Sequence, residues 1–329
     1  MKKRTKEPAM MLLILSVVAA LTVALSACST SGSAGSTDNQ NPAPEAAAPA
    51  AILVTDMAGS QVSLDGPAKR VVAITPSDCE IIYALGAGDA LVGRGTYCNY
   101  PKEIESVPVV QSGNDMNAEQ IIALAPQVVV VSTMNQQGMA DQIQGLKNAG
   151  IAVVLNDATT IDDTYKSIGL LGSILGKDSE ASALVNKMKQ SFDDIKAKAT
   201  GDGTKTIYFE VSPLQYGLWT AGSGTFEDEI ATMLGLKNAF ADVSSWQEIS
   251  AEQVIERNPD YIVTIFMFDG QGETPVQEIM GRPGWDKIAA VKNNAVFNAD
   301  ENTIARPGPR LVNAAEDLYE FVYGAVASS

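Results

Sequence analysis

Asn117-Ala118-Glu119-Gln120-Ile121-Ile122, three further residues, then Pro126 and the apolar run Val128 to Val131: this order recurs downstream. The second copy reads Ser250-Ala251-Glu252-Gln253-Val254-Ile255, three residues, Pro259 and the run Ile262 to Ile265. A second echo precedes each copy. Glu80-Ile81 with Leu85-Gly86 is matched by Glu229-Ile230 with Leu234-Gly235. Two matched pairs in the same order imply two lobes built on one plan. They point to a cleft between similar halves, each presenting a glutamate at an equivalent place.

A chain of 329 residues, 46% of them apolar, can bury a sizeable core and is expected to form two domains. Lys2, Lys3, Arg4 and Lys6 precede an apolar stretch from Met10 to Leu25, and Leu25-Ser26-Ala27-Cys28 supplies small residues before a cysteine. The run is short and is followed by small polar residues. It therefore reads as a secretory signal, 1–27, rather than as an anchor helix. Of the 23 Lys/Arg and 39 Asp/Glu, that segment holds four and one, so 19 basic and 38 acidic residues remain after it. Such a surface repels nucleic acid, and no basic run offsets it. Cys79 and Cys98 can form a disulfide or stay as thiols, since sequence supplies no Cα separation. The absence of histidine removes Ser-His-Asp and Cys-His catalysis and imidazole metal ligation.

Residues 28–50 are small and polar and read as a flexible tether. Strand patterns at 71–75, 91–93, 128–131 and 151–155 alternate with helical ones, which argues for a parallel α/β sheet over residues 51–160. Ser77 reads as the cap of the first helix, and Asn117 as the cap of the helix carrying Glu119. From 161 to 200 the pattern is helical almost throughout, with Gly172 and Gly176 as points that divide or bend it. This is the one stretch long enough to bridge two lobes, at about 1.5 Å per residue. Strand patterns at 206–211, 261–266 and 295–298 build the second lobe, 201–329.

Ligands of open α/β sheets sit beyond the carboxyl ends of the strands. The large residues after those ends are Tyr97, Tyr100, Tyr216, Trp219, Met267, Phe268 and Arg306, with Trp246 on the same side. Aromatics are 6% of the chain yet six of these eight. Flat side chains with a guanidinium suit a bulky ligand with apolar faces and polar edges. Glu119 and Glu252 each occupy a first helical turn, where the dipole favours a carboxylate. Their matched placement also suits a two-fold partner bearing arginines.

With these residues assembled, the chain resembles the substrate-binding lipoproteins of ABC importers for cobalamin, ferric siderophores and haem. The likeness runs from about Ile52 onward. It rests on Thr75-Pro76-Ser77 with Glu80, on Leu85-Gly86-Ala87-Gly88, and on Val92-Gly93 followed by Tyr97 and Tyr100-Pro101. Both Ala-Glu-Gln helices and Arg306 with Pro309-Arg310 complete it. The Leu-Ser-Ala-Cys string is similar to a bacterial lipoprotein box, which implies lipidation of Cys28. The family implies two similar Rossmann-like lobes with parallel sheets, joined by one long rigid backbone helix, the class III periplasmic-binding architecture. It implies that Glu119 and Glu252 dock on the permease dimer, which works with its ATPase. Tyr97, Trp246 and Arg306 are similar to the cobalamin branch, whereas Gly113 stands where that branch has a tryptophan. Arg94, Arg306 and the tyrosines could serve a ferric siderophore. Haem is disfavoured because Tyr or Met would have to be the axial ligand.

The expectation is an exported receptor that makes and breaks no bond. It is anchored by a lipid on the outer face of the cytoplasmic membrane, or on the periplasmic side where an outer membrane exists. Tyr97, Tyr100, Tyr216, Trp219, Trp246, Phe268 and Arg306 would hold an iron or cobalt chelate, with no direct protein ligand to a metal and no cofactor beyond the lipid. Rival readings are a haem receptor, a carboxylate-dependent hydrolase and a sensory lipoprotein. The hydrolase is opposed by the lack of a Gly-x-Ser-x-Gly elbow.

Overall fold

A computed structural model describes residues 50–112, 115–133, 138–266 and 271–324. The leader, Cys28, most of the tether, Gly113, Met267, Phe268 and Asp269 lie outside the described residues. Strands β1 (Ile52–Thr55) and β2 (Gln61–Leu64) pair antiparallel. The first large sheet comprises β3 (Val71–Ala73), β4 (Leu91–Gly95), β5 (Val109–Ser112), β6 (Asp115–Met116), β7 (Val128–Val131) and β8 (Ala152–Leu155). Its order is β6-β5-β4-β3-β7-β8, parallel except for β6. The second comprises β9 (Thr206–Glu210), β10 (Leu218–Ala221), β11 (Lys237–Asn238), β12 (Trp246–Ile249), β13 (Tyr261–Thr264) and β14 (Val296–Asn298). Its order is β12-β10-β9-β13-β14, with β11 beside β9. The parallel trio β9-β13-β14 restates β3-β7-β8.

Helices α1 (Pro76–Ala84), α2 (Ala118–Ala123), α3 (Ala140–Asn148) and α4 (Ile161–Leu175) serve the first sheet. After α5 (Asp178–Lys198), α6 (Phe226–Met233), α7 (Ala251–Arg257), α8 (Pro275–Gly281) and α9 (Leu311–Tyr323) serve the second. The sequence repeat extends to backbone angles. Gly86 and Gly235, just past α1 and α6, have φ of 68° and 67°, the left-handed turn that ends a helix and that glycine adopts without strain. Ala125 and Asn258, each before the repeated proline, both have φ of 46°.

Successive strand residues face opposite sides, and three apolar cores follow from that. Val71, Ala73, Val128 and Val130 of the first sheet share one continuous core with Ile207, Phe209 and Val263 of the second. Ile81 of α1, Ile168 of α4, Phe192 of α5 and Leu318 of α9 fill it. The alternate residues Val72, Val129 and Val131 pack outward on Ile121 and Leu146. Tyr208 and Ile262 do the same against Val254 and Trp285.

The connecting stretch 161–200 departs from a single strut. It is two helices, broken at Gly176, whose φ is 66°. Gly172 lies so close to Ala181 that an added Cβ would come within 2.5 Å of the alanine methyl. The Lys189 ammonium sits 5.0 Å over the Tyr165 ring. α4 and α5 therefore run side by side and antiparallel, and the glycines flagged in the sequence are what permit the turn. α4 packs on α1 and β1, and α5 packs on α6 and α9, so α5 still joins the lobes. One cap also differs. Thr75, not Ser77, caps α1, accepting from Asp78 N, with Pro76 at the first helical position. Cys79 and Cys98 are buried thiols beside the carbonyls of Ala73 and Ile74.

The glutamates of the upstream echo both cross between the lobes. Glu80 accepts from Arg310 Nε at 2.9 Å and Nη2 at 2.7 Å, and from Arg306 Nη1 at 3.0 Å. Glu229 accepts from Ile161 N, the first residue of α4, at 2.6 Å. The Glu80 side chain is 2% exposed, and those of Arg306 and Arg310 are 11% and 20% exposed. Removing one partner of a buried pair strands the other charge, at about 3–5 kcal/mol when burial is complete. Because Arg310 keeps some water, Glu80→Gln is expected to destabilise by roughly 2–4 kcal/mol in urea denaturation. A loss below 1 kcal/mol would show that the two lobes do not depend on this tie.

Candidate functional site

β3 is followed in sequence by β4 on one side and adjoins β7 on the other, so the strand order reverses between β3 and β7. Loops diverge at such a point and leave a crevice at the carboxyl ends. The structure has a cavity of about 490 Å³ there. Thr75 to Asp78 after β3, Thr96, Tyr97 and Asn99 after β4, Ser132 after β7, and Asn156 to Thr159 after β8 form the first-lobe wall. Phe226, Trp246, Glu301 and Ala305 to Pro307 form the second.

Of the residues singled out in the sequence, Tyr97, Trp246 and Arg306 meet in this cleft. Tyr97 is on the rim, 62% exposed. Trp246 is half-buried on β12, its ring 5.7 Å from Phe226, and its indole N–H donates to Glu227 Oε1 at 3.3 Å. Arg306 donates to Glu80, Asn99 Oδ1, Asn302 Oδ1 and the Tyr97 carbonyl. Tyr100 lies instead in a neighbouring recess of about 280 Å³ with Glu80 and Pro309. The Arg310 guanidinium covers its ring at 4.1 Å. Tyr216, 71% exposed, and Trp219, on β10, are not among the described lining residues. Arg94 turns its guanidinium onto the carbonyls of Val107, Gly95 and Cys98. Phe268 lies outside the described residues.

Sequence reasoning missed Thr75, Ser77, Asp78, Asn156, Asp157 and Glu301. The first five follow β3 and β8, so the strand-end rule identifies them once small polar residues are counted beside aromatics. Ser77, relieved of capping, lines the cleft with its hydroxyl 3.2 Å from that of Thr75. Asp157 accepts from the Thr133 hydroxyl and amide. Glu119 and Glu252 are both exposed, in the first turns of α2 and α7. The backbone N–H of Glu252 itself and the Ser250 hydroxyl hold the Glu252 carboxyl below its ordinary range.

Two carboxyl groups are out of water, Asp78 on the cleft lining and Glu227 beneath Trp246. Burial pushes Asp78 up to about 6, against hydrogen bonds from Thr75 and Asn156. Burial pushes Glu227 up to about 7; its Oε2 has no partner among the described residues. Both values exceed those of the unfolded chain, so the folded state binds more protons between roughly pH 4 and 7. This stabilising protonation is complete below the unfolded values and is lost as pH rises through about 6 and about 7. Chemical denaturation is therefore expected to show greater stability at pH 5 than at pH 8. Glu227→Gln should flatten that slope by a few kcal/mol, at about 1.4 kcal/mol per pKa unit. An unchanged slope in Glu227→Gln would show that this carboxyl stays ionised.

Residues 71–303 match the family model described as periplasmic binding protein. The Bacillus subtilis ABC transporter substrate-binding lipoprotein YvrC is 37% identical over 83% of this chain and 85% of its own length. The vitamin B12-binding protein of Salmonella typhimurium is 30% identical over 76% of this chain and 89% of its own. A crystal structure of a possible iron-binding (periplasmic solute-binding) protein from Staphylococcus epidermidis is also similar. It superposes with a TM-score of 0.69 at 31% identity, over 78% of this chain and 99% of that one. The repeated lobes, the cleft at the switch point and these likenesses agree, and the chain belongs to the periplasmic binding protein family.

Proposed function

We propose that this protein is the extracytoplasmic receptor of an ABC importer and that it captures an iron or cobalt chelate in the inter-lobe cleft. The observation that carries the reading is the convergence of Tyr97, Trp246 and Arg306, from both lobes, on a cavity at the strand carboxyl ends. Its 490 Å³ falls within the roughly 300–1,000 Å³ of small-molecule sites. Two aromatic faces and one fixed guanidinium suit a flat or bulky ligand with polar edges. The likeness to a vitamin B12-binding protein and to a possible iron-binding protein supports this ligand class. Residues 1–27 are the leader in this reading. Cys28 carries the lipid that holds the protein at the membrane, and the chain performs no chemistry on its cargo. Glu119 and Glu252, exposed and equivalently placed, meet arginines of a permease dimer that works with an ATPase.

Trp246 provides the test of the cleft. Titration with cyanocobalamin, haem and ferric siderophores, followed by tryptophan fluorescence, is expected to give micromolar or tighter quenching with at least one. Trp246→Ala should weaken that ligand roughly 10- to 100-fold, about 1.4–2.7 kcal/mol. Trp219→Ala should leave it within about two-fold, a difference of some 0.4 kcal/mol. Equal losses at both positions would move the site away from the described cleft. Docking has its own measurement. Glu119→Ala with Glu252→Ala is expected to abolish uptake in cells while ligand affinity stays unchanged. Weakened ligand binding in that double variant would assign the glutamates to the ligand instead.

A further inference from the structure

The charge of the cargo can be read from the cleft. Among its described lining residues the carboxyl groups are Asp78, Asp157 and Glu301, and the cation is Arg306. That guanidinium is already engaged. Nη1 donates to Glu80 Oε1 at 3.0 Å and Asn99 Oδ1 at 2.8 Å, while Nη2 donates to Asn302 Oδ1 at 2.6 Å and the Tyr97 carbonyl at 3.4 Å. A carboxylate clamp needs two parallel N–H groups from one fork, and both terminal nitrogens of Arg306 point at protein acceptors. Glu80 is shared with Arg310, so the trio keeps one positive charge, set against the carboxyl groups of Asp157 and Glu301 on the lining. The nearby guanidinium groups are engaged too. Arg310 bonds Glu80 and the Asn302 carbonyl, and Arg94 bonds three carbonyls of its own lobe. Residues 113–114, 134–137 and 267–270 read Gly-Asn, Met-Asn-Gln-Gln and Met-Phe-Asp-Gly, so they contain no Lys or Arg.

We propose that the cleft selects a chelate with no net negative charge, whose periphery carries amide or hydroxyl groups in place of carboxylates. This rests on the receptor reading and sharpens it. An anionic ligand entering the cleft surrenders the water around its charges. It then meets Asp157 and Glu301 with no free guanidinium to take water's place. A neutral or cationic chelate avoids that loss. Its amide N–H groups also find acceptors, because ionised carboxylates accept and cannot donate.

The test compares four probes on the full-length protein at one ionic strength: cyanocobalamin, a ferric trihydroxamate, haem with its two propionates, and a ferric tris-catecholate. The first or second is expected to bind at least 100-fold more tightly than either anionic probe. Glu301→Gln should then narrow the gap between the preferred probe and the better anionic probe two- to ten-fold, and an unchanged gap would count against the inference. An anionic chelate that binds as tightly as the neutral and cationic ones overturns this inference and leaves the receptor standing. Failure of all four to bind at micromolar concentration overturns both.

Discussion

One carboxylate ties the two lobes together. Glu80 belongs to α1 of the first lobe, yet the groups that neutralise it, Arg306 and Arg310, come from the second. An ionised glutamate removed from water is costly unless its oxygens are filled by donors of opposite charge. Here both oxygens are filled, and the fork of Arg310 engages them together. The arrangement therefore exists only when the lobes are in register. It also has a chemical consequence for the cleft, since the arginine at its wall is held by a structural partner and by two asparagines. The same interaction that fixes the wall sets its charge.

The repeat makes this tie one half of a pair. Glu80 and Glu229 occupy the same place in the duplicated plan, and each reaches across to the other lobe. Their partners differ. One meets guanidinium groups and the other the N-terminal amide of α4, where the helix dipole favours negative charge. The repeated plan places a carboxylate at the same position in both lobes, and the second lobe meets one with guanidinium groups while the other is met by a backbone amide.

Much of this was legible in the residues. The two Ala-Glu-Gln copies predict equivalent helices before equivalent strands, and α2-β7 and α7-β13 are those units. The strand-end rule places the site, because it depends on local order and sheet direction. What periodicity could not show were events that depend on distant neighbours. Gly176 was visible as a break, but the antiparallel return of α5 on α4 depends on Gly172 meeting Ala181. Arg306 was visible as a site residue, but its main partner lies 226 positions away. Tyr100 was visible as a loop aromatic, but nothing in its periodicity reveals that the Arg310 guanidinium lies over its ring. Tyr216 and Trp219 follow the right strand, yet β10 turns away as an antiparallel neighbour of β9.

The shared core bears on how such a receptor can work. Wide hinge closure requires lobes whose interiors are separate, so that rotation exposes only their facing surfaces. Here the inner faces of both sheets contribute to one continuous apolar core through α1, α4, α5, α6 and α9. Close-packed interiors resist being deformed, so rotating one lobe by tens of degrees would open that core and break the Glu80 and Glu229 ties as well. The cleft is consequently close to its final shape before a ligand arrives. A preformed site spends little binding energy on reorganisation, and it discriminates by what its walls already present. Those walls present Trp246, Tyr97 and more carboxyl groups than cations, so on the proposed reading shape and charge at first contact, rather than closure, would select the cargo.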